Sequence, residues 1–213
     1  EPAHMKLYDF TQAPNPRRVR MFLAEKGIKV PTEQVNVREM AQFAATFQAL
    51  NPYAMVPVLE LDDGTCIGES VAICRYVEEM HPEPPLMGID AKDKAIVEMW
   101  NRRAEHDGLM AVAETVRNLL PLFEDRALPG TRGVPQIPAL VERGRASAAR
   151  FFEHIDVRLG DSEFLAGPRF TIADITAWVA TAMAARGEIA VPEDRINVKR
   201  WFDVIAVRPS VQA

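Results

Sequence analysis

The fold of the first part of the chain is decided by one stretch, Val56-Pro-Val-Leu-Glu-Leu-Asp-Asp-Gly-Thr-Cys-Ile-Gly-Glu-Ser70. It contains two short apolar runs, 58–61 and 65–67, joined by a turn that ends in Asp63-Gly64. An Asp-Gly pair between apolar runs is a strong local signal for a β-hairpin. The stretch therefore predicts two antiparallel strands, followed by a helix over 69–80.

Upstream of this hairpin, extended and helical segments alternate. Short strands are expected at 6–10 and 33–37, and a short helix at 41–49. Between the two strands, apolar residues recur at helical spacing ahead of Gly27, a residue type that commonly ends a helix. The order strand, helix, strand, helix, strand, strand, helix predicts an α/β domain over residues 5–80, with a mixed four-stranded sheet and three helices.

Downstream of the hairpin the pattern changes to helices alone. The proline-rich residues 81–89 read as a linker, and residues 90–213 are expected to form an all-helical bundle domain. A proline-rich loop, with three prolines, is expected at 128–138. The helices are expected at 90–123, 139–159, 172–186 and 195–207.

Composition excludes several classes of protein. The chain has 213 residues, of which 48% are hydrophobic and 26% charged, and its net charge is -5. This balance argues against nucleic acid or an anionic membrane as a partner. No apolar run approaches the roughly 18 residues of a membrane span, and nothing resembles a signal peptide. Two cysteines outside any CxxC pair fit a reducing cytoplasm. Glu1–His4 is expected to be an expression remnant before a start at Met5.

The turn before the first helix is the first candidate site. Asn15 followed by Pro16 predicts an N-cap with proline at the first helical position. A helix N-terminus presents N–H groups and a positive dipole end, which favour a bound anion or thiolate. Asn15 could equally be a plain cap, and the two roles are compatible.

Two further candidates flank the hairpin. Met55-Val56-Pro57 is an ordinary turn, or it contains a cis bond that leaves the Val56 backbone ready to pair with a peptide-like ligand. Ser70 is a plain helix cap, or it binds a ligand carboxylate while Glu69 accepts from an ammonium group. A γ-glutamyl group carries both of those charges.

The long helix of the second domain carries a polar face. Arg103, His106, Asp107 and Met110 fall within two turns on one side. Arg103 and Asp107 could form only an exposed ion pair, with His106 solvated. Alternatively, the four residues border a binding site.

The remaining motifs indicate structure rather than chemistry. Phe170-Thr-Ile-Ala-Asp174 is typical of a capping box, in which Thr171 and Asp174 satisfy each other's backbone donors. The four histidines form no metal-ligand pattern, so no metal is expected. There is no GxSxG motif and no phosphate-binding glycine loop.

From Met5 to its end, the chain resembles the cytosolic glutathione transferases. The resemblance implies a thioredoxin-like domain that binds glutathione, a helical domain that shapes a site for a small apolar electrophile, and a homodimer. Each motif alone is weak, but their order and spacing are specific. The motifs are Lys6-Leu-Tyr-Asp-Phe10, Pro14-Asn-Pro-Arg-Arg-Val-Arg20, Ala24-Glu-Lys-Gly27, Phe47-Gln-Ala-Leu-Asn-Pro52, Val56-Pro-Val-Leu-Glu-Leu61, Glu69-Ser70, Phe164-Leu-Ala-Gly167 and Phe170-Thr-Ile-Ala-Asp174.

The resemblance also implies roles for particular residues. Glu69 and Ser70 would bind the γ-glutamyl end of glutathione. Val56, beside Met55 and before a cis Pro57, would pair with the cysteinyl backbone. The glycyl end would be reached by Gln42, and the electrophile site would be bordered by Arg103, His106, Asp107 and Met110.

The sequence departs from the family at Ala13, where members with this type of turn usually have Ser, Thr or Cys. Because a free thiol has a pKa of about 8.5, little of it is ionised at neutral pH without help. That help could come from the helix dipole, Asn15, the hydroxyl of Thr11, or a water held by His106. We expect the dipole and Asn15 to do most of it. Tyr8 precedes the turn and is expected in the strand and core.

Conjugation of glutathione to an electrophile is therefore the first functional expectation. Glutathione-dependent reduction of a disulfide or peroxide is the second, and non-catalytic binding of apolar ligands is the third. Isomerisation of a glutathione adduct is a weaker possibility, suggested by residues 47–52.

Overall fold

The computed structural model describes residues 5–213, so the expectation for Glu1–His4 lies outside it. The first domain has the predicted order of strands and helices. Its elements are β1 (Lys6–Asp9), α1 (Pro14–Glu25), β2 (Thr32–Gln34), α2 (Ala45–Leu50), β3 (Val58–Glu60), β4 (Cys66–Gly68) and α3 (Ser70–Met80).

The four strands form one mixed sheet in the order β2-β1-β3-β4. β1 pairs parallel with β2 and antiparallel with β3, and β3 pairs antiparallel with β4. The predicted hairpin is confirmed, and Gly64 at its turn has a φ of 81°, a left-handed conformation that glycine adopts without steric cost. Tyr8 lies in β1 and is 8% exposed, as expected, and its hydroxyl donates to Glu60 at 2.8 Å.

Two segments of this domain differ from the predictions. The helix expected at 41–49 is split into a 3-10 turn, Ala41–Phe43, and α2. The split falls at Ala44, whose backbone is extended with a ψ of 141°. β2 ends at Gln34 instead of continuing to residue 37, although the N–H of Val35 still donates to the carbonyl of Asp9 at 2.7 Å.

The second domain is helical throughout, as predicted. Its elements are α4 (Ala91–Arg103), a π-helical turn (Ala104–Leu109), α5 (Met110–Leu119), α6 (Pro138–Gly160), α7 (Ile172–Ala184) and α8 (Ile196–Ala206). Short 3-10 turns follow at Pro121–Phe123, Ala185–Gly187 and Pro209–Gln212. Among the helices of residues 5–213, none is both long and apolar enough to cross a membrane.

The prediction of one unbroken helix over 90–123 is wrong in two places. The π-helical turn interrupts it at Gly108, where an added Cβ would lie 2.7 Å from the ring of Phe151 on α6. The second break is at Leu120, which has an extended ψ of 132°. This residue precedes Pro121, and a residue before proline is disfavoured from the helical region.

The core of the second domain is organised around α7, in which twelve of thirteen residues are buried. The predicted capping box is confirmed, with Thr171 and Asp174 bonding each other's backbone N–H groups. The Asp174 carboxylate also accepts from the Leu165 N–H at 3.0 Å and from the Trp201 indole N–H at 2.9 Å. One buried carboxylate therefore joins the start of α7 to the preceding loop and to α8.

Candidate active site

The start of α1 is arranged differently from the prediction. Ala13 is the N-cap residue, with extended φ and ψ of -86° and 141°, and Pro14 is the first helical residue. The expectation that Asn15 is the cap is therefore wrong. Either Pro14 or Pro16 could start the helix, since proline at each position gives up only an N–H that has no helical partner.

This arrangement leaves few donors at the N-terminus of α1. Pro14 and Pro16 have no N–H, and Ala13 has no side chain that could accept a hydrogen bond. Of the first three helical positions, Asn15 alone has a backbone N–H, and within residues 5–213 this group has no partner. Any anion at this helix end would be bound mainly by Asn15.

Asn15 is held by Arg18, a residue that the sequence reasoning missed. Arg18 is 2% exposed, and its guanidinium donates to the Asn15 Oδ1 at 3.1 Å and to the Glu105 Oε1 at 3.0 Å. It also donates to the Thr176 Oγ1 at 3.2 Å, which ties α1 to α7. Since a guanidinium can only donate hydrogen bonds, Arg18 contacts the Asn15 amide through its oxygen and orients Oδ1 toward itself. The Asn15 side-chain N–H groups remain available. The spacing of Arg18 in the sequence could have revealed it, because this charged residue lies four positions before Phe22, on the same face of α1 as that buried side chain.

Asn15 lies where two cavities adjoin. The first, which we call the cleft, has a volume of about 220 Å³, and the second, the outer cavity, about 660 Å³. Both lie between the α1 turn and the second domain. Five residues line both cavities: Pro14, Asn15, Ala113, Arg117 and Pro129.

The cleft brings together several of the predicted glutathione-binding residues. Gln42, Met55 and Val56 line it together with Ala13 and Asn15. Within residues 5–213, neither the N–H nor the C=O of Val56 has a hydrogen-bond partner. The cleft thus presents one residue whose backbone donor and acceptor are both unpaired, as is needed to pair with an extended ligand.

Two further features of the cleft concern residues that the sequence singled out. Pro57 is buried and does not line the cleft, and the Val56–Pro57 bond is cis, as the resemblance implied. Gln42 is 7% exposed, and its Oε1 is buried without a partner among the described residues. Because burying an unpaired amide oxygen is costly, this oxygen is suited to accept from an N–H of a ligand.

Glu69 and Ser70 lie at the start of α3, next to α1. The Ser70 hydroxyl donates to the backbone carbonyl of Asn15 at 3.0 Å, so it connects the two helix N-termini. Glu69 has a φ of 67°, a strained region for a residue with a side chain, and such strain is often found at functional sites. Its exposed side chain lines the outer cavity.

The predicted helix face is only partly brought to the site. His106, Asp107 and Met110 line the outer cavity, and a ring nitrogen of His106 contacts the guanidinium of Arg102. Arg103 lines neither cavity. It lies over the ring of Trp100 at 4.9 Å, and in the described part of the chain it forms no ion pair with Asp107.

Thr11 is also placed away from the cleft. It is exposed, and its hydroxyl and backbone N–H both donate to the Gln34 Oε1 at 3.0 Å. The lining residues of the two cavities do not include it. Its hydroxyl is therefore poorly placed to reach a ligand bound beside Asn15.

The cleft has a charge that the sequence did not reveal. Its lining includes Arg38, Arg117, Arg126 and Arg186, and none of the described lining residues is Asp or Glu. Burial and the nearby charge of Arg126 lower the pKa of the Arg117 guanidinium to about 10. The outer cavity, by contrast, is bordered by several carboxylates. Across residues 5–213, no group of three His, Cys, Asp or Glu side chains could hold a metal ion.

Comparison with known proteins identifies the family of the chain. Residues 13–80 match the glutathione S-transferase N-terminal domain, and residues 138–203 match the C-terminal domain. The chain is 32% identical to glutathione S-transferase 2 of Saccharomyces cerevisiae, over 98% of this chain and 88% of that protein. The chain therefore belongs to the glutathione S-transferase family.

Solved structures show the same architecture. The crystal structure of Gtt2 from Saccharomyces cerevisiae matches with a TM-score of 0.89 and 32% identity, over 97% of this chain and 98% of that one. A glutathione S-transferase domain-containing protein from Marinobacter aquaeolei matches with a TM-score of 0.90 and 36% identity, over 97% and 99% of the two chains. The first domain is thus thioredoxin-like, and the second is the all-α domain of this family.

Proposed function

We propose that this protein is an enzyme that transfers glutathione to small apolar electrophiles. The observation that carries the proposal is the state of Asn15. Its backbone N–H is unpaired within residues 5–213, and its amide is held by Arg18 with the side-chain N–H groups available. These donors stand at a helix N-terminus beside a cleft, which is an environment that stabilises a thiolate.

Glutathione fits the cleft as an extended peptide. The unpaired backbone N–H and C=O of Val56 would pair with the cysteinyl backbone, beside Met55, and the buried Gln42 Oε1 would accept from an N–H near the glycyl end. The γ-glutamyl carboxylate would bind the backbone N–H of Ser70 at the start of α3. Glu69 would accept from the γ-glutamyl ammonium group.

This placement brings the cysteinyl sulfur to Asn15. A hydrogen bond to the charged form of an acid lowers its pKa, so the Asn15 donors favour the thiolate. The thiolate then attacks the electrophilic carbon and forms a C–S bond, while the leaving group departs with the electrons of the bond that breaks. Ala13 supplies no hydroxyl to the sulfur. A water held by His106 at the edge of the outer cavity is the second group that stabilises the thiolate.

We also propose that the protein is a cytoplasmic homodimer. The family supports the dimer. The cytoplasmic location is supported by the two cysteines, Cys66 and Cys74, which are both free thiols. Sedimentation over a range of protein concentrations tests the dimer, and a single monomeric species at all concentrations would contradict it.

The central experiment is an ultraviolet titration of the thiolate of bound glutathione, run alongside turnover of a generic aryl halide. One lost hydrogen bond to a charged group costs about 1.5–3 kcal/mol, or roughly one to two pKa units. We therefore expect Asn15→Ala to raise the thiol pKa by about one unit. Asn15→Asp is the matched control, since it keeps an acceptor for Arg18 but has no side-chain N–H, and it should raise the pKa at least as much.

The outcomes separate the candidate functions. A lowered thiol pKa with turnover supports conjugation through Asn15. An unchanged titration in both variants would show that the Asn15 side chain does not activate the thiol. Tight glutathione binding with an unshifted pKa and no turnover would favour disulfide or peroxide reduction, or ligand binding, and a disulfide substrate would then separate those two.

A further inference from the structure

The arginines of the cleft form an uncompensated positive charge. The described residues contain thirteen ion pairs, and none of them involves Arg38, Arg117, Arg126 or Arg186. No lining carboxylate of the cleft offsets these four charges. Arg117 and Arg126 are half-buried, whereas Arg38 and Arg186 are exposed. Since partly buried charges are normally paired, the unpaired Arg117 and Arg126 indicate an anionic ligand, and the exposed Arg186 adds to the positive charge that such a ligand would meet.

Backbone carbonyls hold three of these side chains in place without neutralising them. The Arg117 guanidinium donates to the carbonyls of Ala127 at 3.0 Å and Arg126 at 2.5 Å. Arg126 donates to the carbonyl of Leu122 at 2.6 Å, and Arg186 to that of Gln12 at 3.3 Å. The guanidinium groups are therefore positioned before any ligand arrives.

Glutathione would compensate only part of this charge. Its glycyl carboxylate would lie near Gln42, on the side of the cleft that also carries Arg38 and Arg126. Arg126 belongs to that side because it contacts the carbonyl of Val37 and the sulfur of Met40. Arg117 and Arg186 come from the helical domain, and they remain without an anionic partner.

The helical domain also contributes apolar side chains to its side of the cleft, and these are Val116, Phe123 and Met183. The Arg117 guanidinium lies over the Phe123 ring at 4.5 Å. A ligand that fits this side needs an apolar body and an anionic group. Burial and Arg126 lower the pKa of Arg117, and a bound carboxylate would offset that repulsion.

We propose that the preferred electrophile carries a carboxylate on an apolar body, and that Arg117 and Arg186 bind this carboxylate. The proposal rests on the proposed function, because it takes the cleft as the site where glutathione meets its electrophile. It assigns Arg117 and Arg186 as residues that determine specificity.

The test compares two electrophiles of nearly the same shape, the anionic para-chloro-meta-nitrobenzoate and its neutral amide. Because the amide group activates the ring more strongly, each kcat/KM is divided by the rate at which the same electrophile reacts with free glutathione. After this correction, the unmodified protein should show a higher value for the benzoate. Arg186→Gln and Arg117→Gln should each reduce the ratio of benzoate to amide by about tenfold, the size of one charge-assisted hydrogen bond. Arg117→Lys, which keeps the charge, should reduce it less.

Arg200→Gln is the matched control. Arg200 also donates to backbone carbonyls, those of Leu159 and Ser162, and it lines neither cavity. This variant should leave the ratio unchanged. Arg186 is exposed and has one hydrogen bond, so its variant reports on specificity even where Arg117→Gln fails to fold.

A binding measurement separates this proposal from the proposed function. Calorimetry with the unreactive para-nitrobenzoate and para-nitrobenzamide, on glutathione-saturated protein, should show tighter binding of the benzoate and loss of that preference in Arg186→Gln. If para-nitrobenzoate binds more tightly than the amide but neither chlorinated electrophile is turned over, the result would support the carboxylate site and reject conjugation. Equal binding of both compounds, or an equal fall in kcat/KM for both electrophiles in Arg186→Gln, would overturn the carboxylate site.

Discussion

Replacing Arg18 by methionine should both loosen the domain interface and weaken thiol activation. Arg18 donates three hydrogen bonds, to Thr176, Asn15 and Glu105. Losing each neutral partner costs about 1 kcal/mol, and losing the bond to the Glu105 carboxylate costs about 1–3 kcal/mol. Since Glu105 keeps its contact with Arg102, the lower part of that range applies. The free energy of unfolding should fall by about 3 kcal/mol.

The effect on the thiol follows from the freedom that Asn15 would gain. Without Arg18, the Asn15 side chain is free to occupy about three χ1 rotamers instead of one. Holding it in one rotamer is then worth about 0.6 kcal/mol, or roughly half a pKa unit of the bound thiol. Arg18 also acts on the thiolate through its charge, and this part does not depend on Asn15.

A double-mutant cycle separates the two contributions. The thiol pKa of bound glutathione is measured in the unmodified protein, Arg18→Met, Asn15→Ala and the double variant. Arg18→Met should raise the pKa by about half a unit more in the presence of Asn15 than in its absence. Equal shifts in both backgrounds would refute a positioning role for Arg18. Arg158→Met is the control, because Arg158 donates to the carbonyl of Leu165, and neither residue lines a cavity.

The other predictions concern the buried carboxylate of Asp174. Asp174→Ala should lower the free energy of unfolding by about 4 kcal/mol, since it removes one half of the capping box and leaves the N–H groups of Thr171, Leu165 and Trp201 without an acceptor. Thr171→Ala should lower the free energy of unfolding by only about 1 kcal/mol. If urea titrations showed equal losses of stability in Thr171→Ala and Asp174→Ala, this account would be contradicted. Burial raises the pKa of Asp174 to about 6, above its unfolded value of about 3.9. The native state therefore binds this proton more tightly, and the resulting stability is lost as the pH rises from about 4 through about 6. The free energy of unfolding of the unmodified protein should exceed that of Asp174→Asn by about 1 kcal/mol more at about pH 5 than at about pH 7. A smaller difference at the lower pH would contradict the raised pKa of Asp174.

The fold was predictable because its signals are local. The Asp-Gly turn defines the hairpin, the alternation of short elements gives the α/β order, and Thr171 with Asp174 marks the start of α7. The errors lie where two local signals compete. At the first helix Pro14 and Pro16 were both suitable starts, and the chain uses the earlier one.

The site was less predictable because its parts meet only after folding. The spacing of Arg18 from Phe22 marked a charge on a buried face, but its partners Glu105 and Thr176 lie in another domain. The π-helical turn likewise changes which residues of the long helix face the site. No periodicity of a single helix predicts such a turn, since here it coincides with close packing of Gly108 against α6.

The start of α1 explains how a family member without the usual hydroxyl could still activate a thiol. Ala13 cannot cap the helix, and Pro14 and Pro16 remove two of the first three backbone donors. The remaining donors belong to one residue, Asn15, whose amide is held by Arg18. A thiolate at this position would itself cap the helix, as anions do at other helix N-termini. Asn15→Ala keeps only the backbone N–H at this position, so the loss of the side-chain donor should raise the thiol pKa, whereas loss of the Thr11 hydroxyl, which is bonded to Gln34, should leave that pKa unchanged.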